Sequence, residues 1–315
     1  MCSSDLTYTV LTYGGAAPDL TGLSVANPVY GKTYFFAAAS GTVTVTIASD
    51  AASASVWNVN ASGDWSTAAN WTTPPANAAG STARFDDAIS SPVTVATAGE
   101  TVGSLFFNNA LPYTLGGAGL TLDNGPEPAS VTVESGTHAI AAPLTLAGDA
   151  VLSFAPATVL TLASATGGSS KLTAQGNGTL AFTATPSVQS LELNVPEVAF
   201  SNALTLASPV VLQRAVTVRP APATTAAVST VVSGAGSLTK TGSNVLELAS
   251  ANTYTGVTRI DGGMLKLDTL ANGGQPSSIG ASAAGNGNLL LGPGTLRYTG
   301  PTAVIDRGYT LQAGS

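Results

Sequence analysis

The chain of 315 residues has few charged residues and a single cysteine, and both shortages limit what the protein can be. Charged residues make up 9% of it, against roughly 25% in ordinary soluble proteins. Hydrophobic residues nevertheless make up 44%, which is more than a disordered chain would carry. The polar residues are mainly Thr, Ser, Asn and Gly, which suit strand surfaces and tight turns. This composition predicts a folded, β-rich protein.

Basic residues are also scarce, and this argues against two classes of partner. The chain has 10 of them, scattered singly, and its formal net charge is −7. No basic stripe is present to neutralise phosphates, so we expect no nucleic-acid binding and no membrane contact by this segment. No apolar run reaches the roughly 18 residues of a membrane helix, and no signal-peptide pattern is found. We expect a fragment of a longer protein, monomeric within that longer chain.

Cysteine and histidine are too few for the usual metal and nucleophilic sites. Cys2 alone can form neither an intramolecular disulfide nor a thiolate cluster. Without a preceding apolar segment it does not read as a lipoprotein cysteine. His138 is the only histidine, so no other residue could be the base of a Ser/His/Asp triad. It lies between strand-like pieces, where we expect a surface turn. We expect no cofactor.

From about Val102 onward, the sequence repeats short triplets in which a polar residue, often Thr, separates two aliphatic residues. Alternate side chains of a strand face opposite sides, so each triplet buries two aliphatic side chains and points the middle one outward. Strands this short are unstable alone, but many of them stacked about 4.8 Å apart can share one core. Clear examples are Leu120–Leu122, Leu144–Leu146 and Leu204–Leu206.

Two architectures fit these short strands. A β-sandwich would have longer strands, hairpin dipeptides and a central Trp. A parallel β-helix needs short strands, stacked aliphatic residues and corners of Gly or Asn. The corner-like pairs Gly116-Gly117, Gly167-Gly168 and Gly262-Gly263 favour the β-helix. We therefore predict an all-β protein, a right-handed parallel β-helix of about nine coils with a short N-terminal β segment.

The composition divides the predicted fold into three parts. Residues 1–55 read as the C-terminal strands of a preceding β module, followed by a small, polar linker. Residues 56–110 hold all three tryptophans and read as an N-terminal cap or module start. Residues 111–315 read as the parallel β-helix, with its clearest repeat at residues 234–267.

The segment 234–267 carries the most specific pattern in the chain. It reads Gly-x-Gly-x-Leu-x-Lys-x-Gly, then Leu-x-Leu, then Asn-x-Tyr-x-Gly, and it ends with Gly-x-Leu-x-Leu. This pattern resembles the autotransporter-associated β-strand repeat, with Gly242-Ser-Asn in place of the more usual Gly-x-Gly. The resemblance is carried by Gly234, Gly236, Leu238, Lys240, Gly242, Leu246, Leu248, Asn252, Tyr254, Gly256, Gly263, Leu265 and Leu267.

The resemblance implies a passenger-type parallel β-helix in a large bacterial protein. Such a protein is displayed on the cell surface or secreted, in association with the Gram-negative outer membrane. The repeat has no catalytic residues to carry over, so no enzymatic activity is implied. The expected function is structural and adhesive, that of a stiff β-helical stalk. The expected partner is a host surface or an extracellular glycan or protein ligand.

Strand alternation and turn chemistry predict a place for each residue type of the repeat. The leucines should stack inside the coil, and the glycines should form corners. Asn252 should turn inward or cap a corner. Tyr254 should pack its ring on the coil with its hydroxyl in water. Lys240 and Lys266 should lie on an outer face.

Acidic residues suggest an alternative function, that of a polysaccharide lyase or hydrolase using carboxylates from adjacent coils. This alternative rests on an analogy with other β-helix proteins. Glu192 and Glu247 occupy outward strand positions, and no calcium-loop pattern occurs, so no metal is expected. The candidate carboxylates are Asp123, Glu127 and Glu134 in one region and Glu192 and Glu197 in another. Asp86 and Asp87 lie near the tryptophans, but adjacent residues of a strand face opposite sides.

The tryptophans allow two interpretations. Exposed rings of Trp57, Trp65 and Trp71 could stack on sugars, as in a carbohydrate-binding module, or anchor a protein interface. Alternatively, the three rings plug the first coil of the β-helix, whose core would otherwise face water. Their clustering at the start of the repetitive region favours the plug.

Overall fold

The structure is a computed structural model that describes residues 6–20, 23, 25, 32–49, 54–222 and 224–312. This part of the chain forms strands and two short 3-10 helices, with no α-helix. It divides into two compact units, Met1–Ala54 and Ser55–Ser315. Cys2 and most of the predicted linker after Ala48 lie outside the described residues.

The strands are numbered in chain order. The first unit contains β1 (Leu6–Thr12), β2 (Lys32–Ala39) and β3 (Thr42–Ser49). The second unit begins with β4 (Ser55–Val56), β5 (Gly63–Asp64), β6 (Ala78–Phe85), β7 (Val93–Thr97), β8 (Glu100–Asn108), β9 (Tyr113–Gly117) and β10 (Leu120–Leu122). It continues with β11 (Ala129–Ser135), β12 (Thr137–Ile140), β13 (Leu144–Leu146), β14 (Ala150–Phe154), β15 (Val159–Leu162), β16 (Ala165–Gly176) and β17 (Thr179–Phe182). Next are β18 (Ser187–Asn194), β19 (Glu197–Phe200), β20 (Leu204–Leu206), β21 (Val210–Leu212), β22 (Val216–Pro220), β23 (Thr225–Val228) and β24 (Val232–Ser233). The last are β25 (Leu238–Lys240), β26 (Val245–Leu248), β27 (Thr258–Ile260), β28 (Gly263–Leu267), β29 (Leu289–Leu291), β30 (Gly294–Tyr298) and β31 (Thr310–Leu311). The 3-10 helices are Ala68–Asn70 and Asn286–Asn288.

The first unit is a small antiparallel sheet with the strand order β1-β3-β2. Tyr8, Val45 and Phe36 lie in register across the three strands and therefore share one face. The other face carries threonines and the exposed ring of Phe35, and the hydroxyls of Thr7 and Thr46 are 3.0 Å apart there. This alternation of apolar and polar residues forms a sheet with two unlike faces.

The second unit is a parallel β-solenoid of about 11 turns. Its sheets have 12, 11 and 5 strands, and every pairing within them is parallel. Successive rungs stay in register over long distances. One outward-facing row on the 12-stranded sheet is formed by Thr137, Val159, Thr179, Glu197, Thr217, Thr239, Arg259, Leu290 and Thr310.

One continuous hydrophobic core fills the solenoid from Trp57 to Leu289. It is formed by the first and third residues of the triplets, as strand alternation predicts. In β10 and β13, for example, the leucines are buried and the central threonines face outward.

The predicted fold class, an all-β parallel solenoid, is confirmed. The number of turns is larger than the predicted nine because the solenoid begins at β4 and includes the segment that was predicted as a cap. The coil from Gly63 to Val95 and the coil from Arg259 to Leu290 are longer than their neighbours. The proposed domain boundaries at residues 55 and 110 stay a prediction. The hydrophobic core continues past residue 110 without interruption.

Candidate functional site

Lys240 lies inside the solenoid, where its charged nitrogen is surrounded by oxygen atoms. The side chain is fully buried. Its Nζ donates hydrogen bonds to the backbone carbonyls of Thr241, Gly242 and Gly262 at 2.6, 3.0 and 3.2 Å. A longer bond of 3.4 Å reaches Oδ1 of Asn244. All four acceptors are neutral, and they belong to two successive corners of the solenoid.

The expectation that Lys240 faces outward is therefore wrong. Lys240 pairs in register with Val218 and Ile260, which face inward. Strand alternation places it on the same side as Leu238, two residues earlier. The charge of the side chain had suggested the opposite, but the corner carbonyls supply the partners that a buried cation needs. Burial lowers the pKa of Lys240 to about 8, because desolvation penalises the ammonium form.

Asn252 links its own turn to the coil before it and to the connection after it. The side chain is 1% exposed. Its Oδ1 accepts a hydrogen bond from the backbone N–H of Val232 at 2.8 Å, and its Nδ2 donates to the carbonyl of Ser278 at 2.9 Å. These bonds match the predicted inward, capping position of Asn252.

Tyr254 is fully buried, and its hydroxyl has a protein partner. The Tyr254 hydroxyl lies 2.6 Å from Oγ1 of Thr258, which donates to the carbonyl of Ile279 at 3.1 Å. The prediction of a hydroxyl in water is therefore wrong, because the connection that contains Ile279 covers the ring. Burial raises the pKa of Tyr254, since the phenolate would be desolvated.

Residues 276–280, Pro-Ser-Ser-Ile-Gly, lie in the connection between β28 and β29, outside the repeat pattern. Ser277 and Ser278 are fully buried. The hydroxyl of Ser278 donates to Oδ1 of Asp268 at 3.0 Å and accepts the backbone N–H of Thr269 at 3.1 Å. The segment is thus the partner of the Asn-x-Tyr turn. In the sequence, this segment is marked only by a cluster of turn residues followed by a single isoleucine, which indicates a loop with one buried side chain.

Two glycines of the repeat occupy positions that a larger residue does not fit. A Cβ atom at Gly256 would collide with the backbone of Gly236 in the preceding coil. Gly263 has a φ of 61°, in the left-handed region that side chains disfavour. A Cβ atom there would also collide with the backbone of Gly242 and Asn244. These residues form the tightly stacked corners of the repeat.

The candidate carboxylates engage cations on neighbouring strands. Glu192 pairs with Lys171 at 3.2 Å, and Glu197 pairs with Arg219 at 2.6 Å. The remaining contacts follow the same pattern or are local. Asp86 pairs with Arg84, Glu247 pairs with Lys266 on the outer face, and Asp123 accepts the backbone N–H of Gly125. Asp87, Glu127 and Glu134 are exposed.

The three tryptophans form a buried cluster in the first coils of the solenoid. Trp57 and Trp65 are fully buried, and Trp71 is 5% exposed. The ring of Trp71 lies 5.3 Å from that of Trp57 and 4.8 Å from that of Trp65. Each indole N–H donates to a backbone carbonyl, that of Val59, Ala76 or Trp65. In this arrangement the indole faces meet other side chains, so none is available to stack on a sugar.

His138 continues this aromatic core, and the expectation of a surface turn is wrong. It lies in β12 and is 1% exposed. Its ring stacks on Phe107 with the centroids 4.8 Å apart. Nδ1 accepts the backbone N–H of Tyr113 at 3.1 Å, so Nε2 carries the proton and donates to the carbonyl of Ser135 at 2.7 Å. Burial lowers the pKa of His138, because the imidazolium would be desolvated.

Three further observations concern possible ligand sites. Within the described ranges, no group of three or more His, Cys, Asp or Glu residues could hold a metal ion. No helix among the same residues is long and apolar enough to cross a membrane. A small cavity near Leu193, Phe200 and Leu246 has an entirely apolar lining.

The repeat on the solenoid matches a known family over a small part of the chain. Residues 238–267 match the family described as passenger-associated-transport-repeat. The predicted autotransporter-associated repeat is confirmed, and it lies on a parallel β-solenoid.

The chain is also similar to a curated protein, the adhesin BmaC autotransporter of Brucella suis biovar 1 (strain 1330). The two are 47% identical over 81 residues, which is 26% of this chain and 2% of that relative. The similarity therefore spans a small part of a much longer protein. No solved structure shows a significant match.

Proposed function

We propose that this chain is a non-catalytic segment of an autotransporter passenger, a stiff stalk with adhesive side faces on a surface-displayed or secreted bacterial protein. The observation that carries the proposal is the passenger-associated repeat at residues 238–267 on a solenoid. The similarity to an autotransporter adhesin supports the adhesive part. The partner would be a host surface or an extracellular glycan or protein.

Stiffness is expected from the parallel hydrogen-bond ladders and the continuous core. Thr137 and Thr310 are exposed residues of the same outward row. They are eight rungs apart, and eight spacings of about 4.8 Å place them about 38 Å apart. Spin labels on Thr137→Cys and Thr310→Cys, in a Cys2→Ser background, should give one narrow distance distribution near this value. A broad distribution would contradict the stalk.

Adhesion is expected to use the hydroxyl-rich outer faces, where threonines recur on successive rungs. Thr101, Thr121, Thr145 and Thr166 form one such column in register. Replacing all four by Val removes the hydroxyls while keeping shape and strand preference. A second variant replaces four outward threonines of the 12-stranded sheet by Val: Thr94, Thr114 and Thr161 from one row and Thr217 from another.

Binding of the purified chain should be measured on a glycan array and on fixed mammalian cells. We expect specific binding that one of the two quadruple variants reduces at least about tenfold, which is about 1.4 kcal/mol. Equal binding by both variants and the wild type would contradict adhesion through hydroxyl columns. Release of reducing sugars, lost in Glu192→Gln or Asp123→Asn, would instead establish the polysaccharide-degrading alternative.

A further inference from the structure

The connection between β28 and β29 is long, yet it is folded. It runs from Asp268 to Asn288, and the coil that contains it is longer than the coil before it. Backbone hydrogen bonds within it include Gly274 N to Ser282 O at 2.9 Å and Gly280 N to Ser277 O at 2.9 Å. A loop with so little regular structure needs contacts from elsewhere to offset its conformational entropy.

One side of the connection is held by the repeat itself. Asn252 and Ser277 form an isolated antiparallel bridge, with N–H to O distances of 2.9 and 3.2 Å. The backbone N–H of Ala281 donates to the carbonyl of Tyr254 at 2.8 Å. These contacts join residues 277–281 to the Asn-x-Tyr turn, and Ser278 also bonds to Asp268 and Thr269. Among the described residues, no hydrogen bond joins residues 271–275 to the repeat.

The other side is held by Arg307, which follows β30 in the chain. Its side chain is buried, with 9% exposure. All three guanidinium nitrogens donate hydrogen bonds to neutral oxygens of the connection. The acceptors are the carbonyls of Ala271 (2.8 Å), Asn272 (3.4 Å), Gln275 (2.9 Å) and Gly280 (2.8 Å), and the hydroxyl of Ser282 (3.2 Å).

The neighbouring Asp306 strengthens this attachment. Its Oδ1 accepts the backbone N–H of Gly273 at 2.7 Å, and its backbone N–H donates to Oδ1 of Asn272 at 3.1 Å. Asp306 and Arg307, which are adjacent in the chain, therefore both form hydrogen bonds to the same turn, residues 271–275.

We propose that Arg307 is a clasp whose guanidinium fits a cradle of five oxygens and thereby sets the structure of residues 268–288. The repeat at residues 238–267 therefore depends on residues outside it for the structure of its Asn-x-Tyr turn. Its Asn252 and Tyr254 meet a segment that takes up its position only when Arg307, from the following coil, occupies the cradle.

The shape of the cradle selects a guanidinium over an ammonium. A guanidinium offers five N–H donors in a plane, and here all three nitrogens are used on acceptors spread along the connection. A lysine ammonium has three donors at one point and cannot reach five separated oxygens. Because every acceptor is neutral, the fit depends on donor geometry rather than on pairing with a carboxylate.

The experiment measures amide hydrogen exchange in the intact chain by mass spectrometry, for the wild type and Arg307→Ala. Reporter amides are those of Gly274, Ser278, Gly280 and Ala281, all hydrogen-bonded in the connection. We expect their exchange to become at least about 100-fold faster in Arg307→Ala, because the oxygens lose a charged donor. Methylguanidinium in the millimolar range should restore part of the protection, whereas methylammonium or NaCl should not.

The matched control is Arg297→Ala, which removes an exposed arginine of β30 outside the cradle and should leave the connection unchanged. Unchanged exchange in Arg307→Ala would overturn the proposal, as would equal rescue by methylammonium. If Arg307→Ala fails to fold, Arg307→Lys replaces it. A lysine variant with wild-type protection would also overturn the proposal, and one with fast exchange confined to residues 268–288 would support it.

Discussion

Two regions of the solenoid share one hydrophobic core but differ in what else they bury. The first coils are filled by aromatic rings, from the tryptophan cluster through Phe85 and Phe107 to His138. The coils around the repeat instead bury Lys240, Asn252 and Arg307, whose polar atoms bond to backbone oxygens and N–H groups. The same hydrophobic core runs through both regions, but the first coils add packed rings to it and the coils around the repeat add buried hydrogen bonds.

This difference shows what each kind of interior contributes. Aromatic side chains bury large apolar areas and fill the interior of the first coils. Buried polar groups contribute less net free energy but fix the geometry of corners, because an unpaired donor or acceptor is costly. The comparison predicts different losses when each interior is altered.

The largest loss of unfolding free energy is expected when a ring is removed from the aromatic first coils. Trp65→Ala should lower the free energy of unfolding by about 3–5 kcal/mol, since it removes a fully buried ring and leaves a cavity. The neighbouring rings of Trp71 and Phe85, 4.8 and 5.6 Å away, would lose their contacts. Urea unfolding followed by circular dichroism measures the change. Trp65→Phe is the control and should lose less; equal losses would show that ring packing is not the cause.

A smaller loss of unfolding free energy is expected when the buried Lys240 of the repeat is replaced. Lys240→Met keeps the length of the side chain but leaves the corner carbonyls without their donor. We expect a loss of about 2 kcal/mol, because unpaired buried oxygens cost more than the removed charge returns. The same urea experiment tests this, and a stabilised Lys240→Met would mean that the buried charge outweighs its hydrogen bonds.

Because Lys240 is buried, the free energy of unfolding should depend on pH in the range where this side chain titrates. Its pKa is about 8 in the folded chain and about 10.4 when unfolded. The folded state therefore binds fewer protons between these values, so stability should rise with pH across that window. The difference between the wild type and Lys240→Met should grow from pH 8 to pH 10. A difference that stays constant or shrinks would contradict the buried position of the amine.

His138 should make the aromatic first coils sensitive to acid. Its pKa is lowered by burial, so the unfolded state takes up a proton first as the pH falls below about 6.5. Stability should then decrease by up to about 1.4 kcal/mol per pH unit until the folded histidine titrates. His138→Phe should be less stable at pH 7 but flatter between pH 6.5 and 5. Parallel curves for the two proteins would exclude His138 as the source.

The smallest effect is expected on the outer face. Glu247 and Lys266 pair at 2.8 Å, with each side chain 32% exposed. Pairs of this kind contribute about 0–1 kcal/mol. Glu247→Gln should therefore change the unfolding midpoint little, and 1 M NaCl should remove what difference there is. A loss as large as that of Lys240→Met would show that outer ion pairs matter as much as the interior.

Much of this architecture could be predicted from the sequence because it is local. Alternation in triplets such as Leu120–Leu122 gives the inward and outward faces, and the pattern at residues 234–267 identifies the repeat. The same alternation would have placed Lys240 inside, had it been weighed above the charge. Arg307 could not be found this way, since its partners lie about 30 residues earlier and are backbone carbonyls, which leave no trace in side-chain pattern.

The aromatic first coils and the coils around the repeat should be stabilised separately, as expected for a stack in which each coil touches only its neighbours. Hydrogen exchange of the intact Trp65→Ala chain, compared with the wild type, tests this expectation most directly. We expect faster exchange in β6 to β12 and no change in β25 to β28. Equal acceleration in both regions would contradict it, because the solenoid would then unfold as one unit.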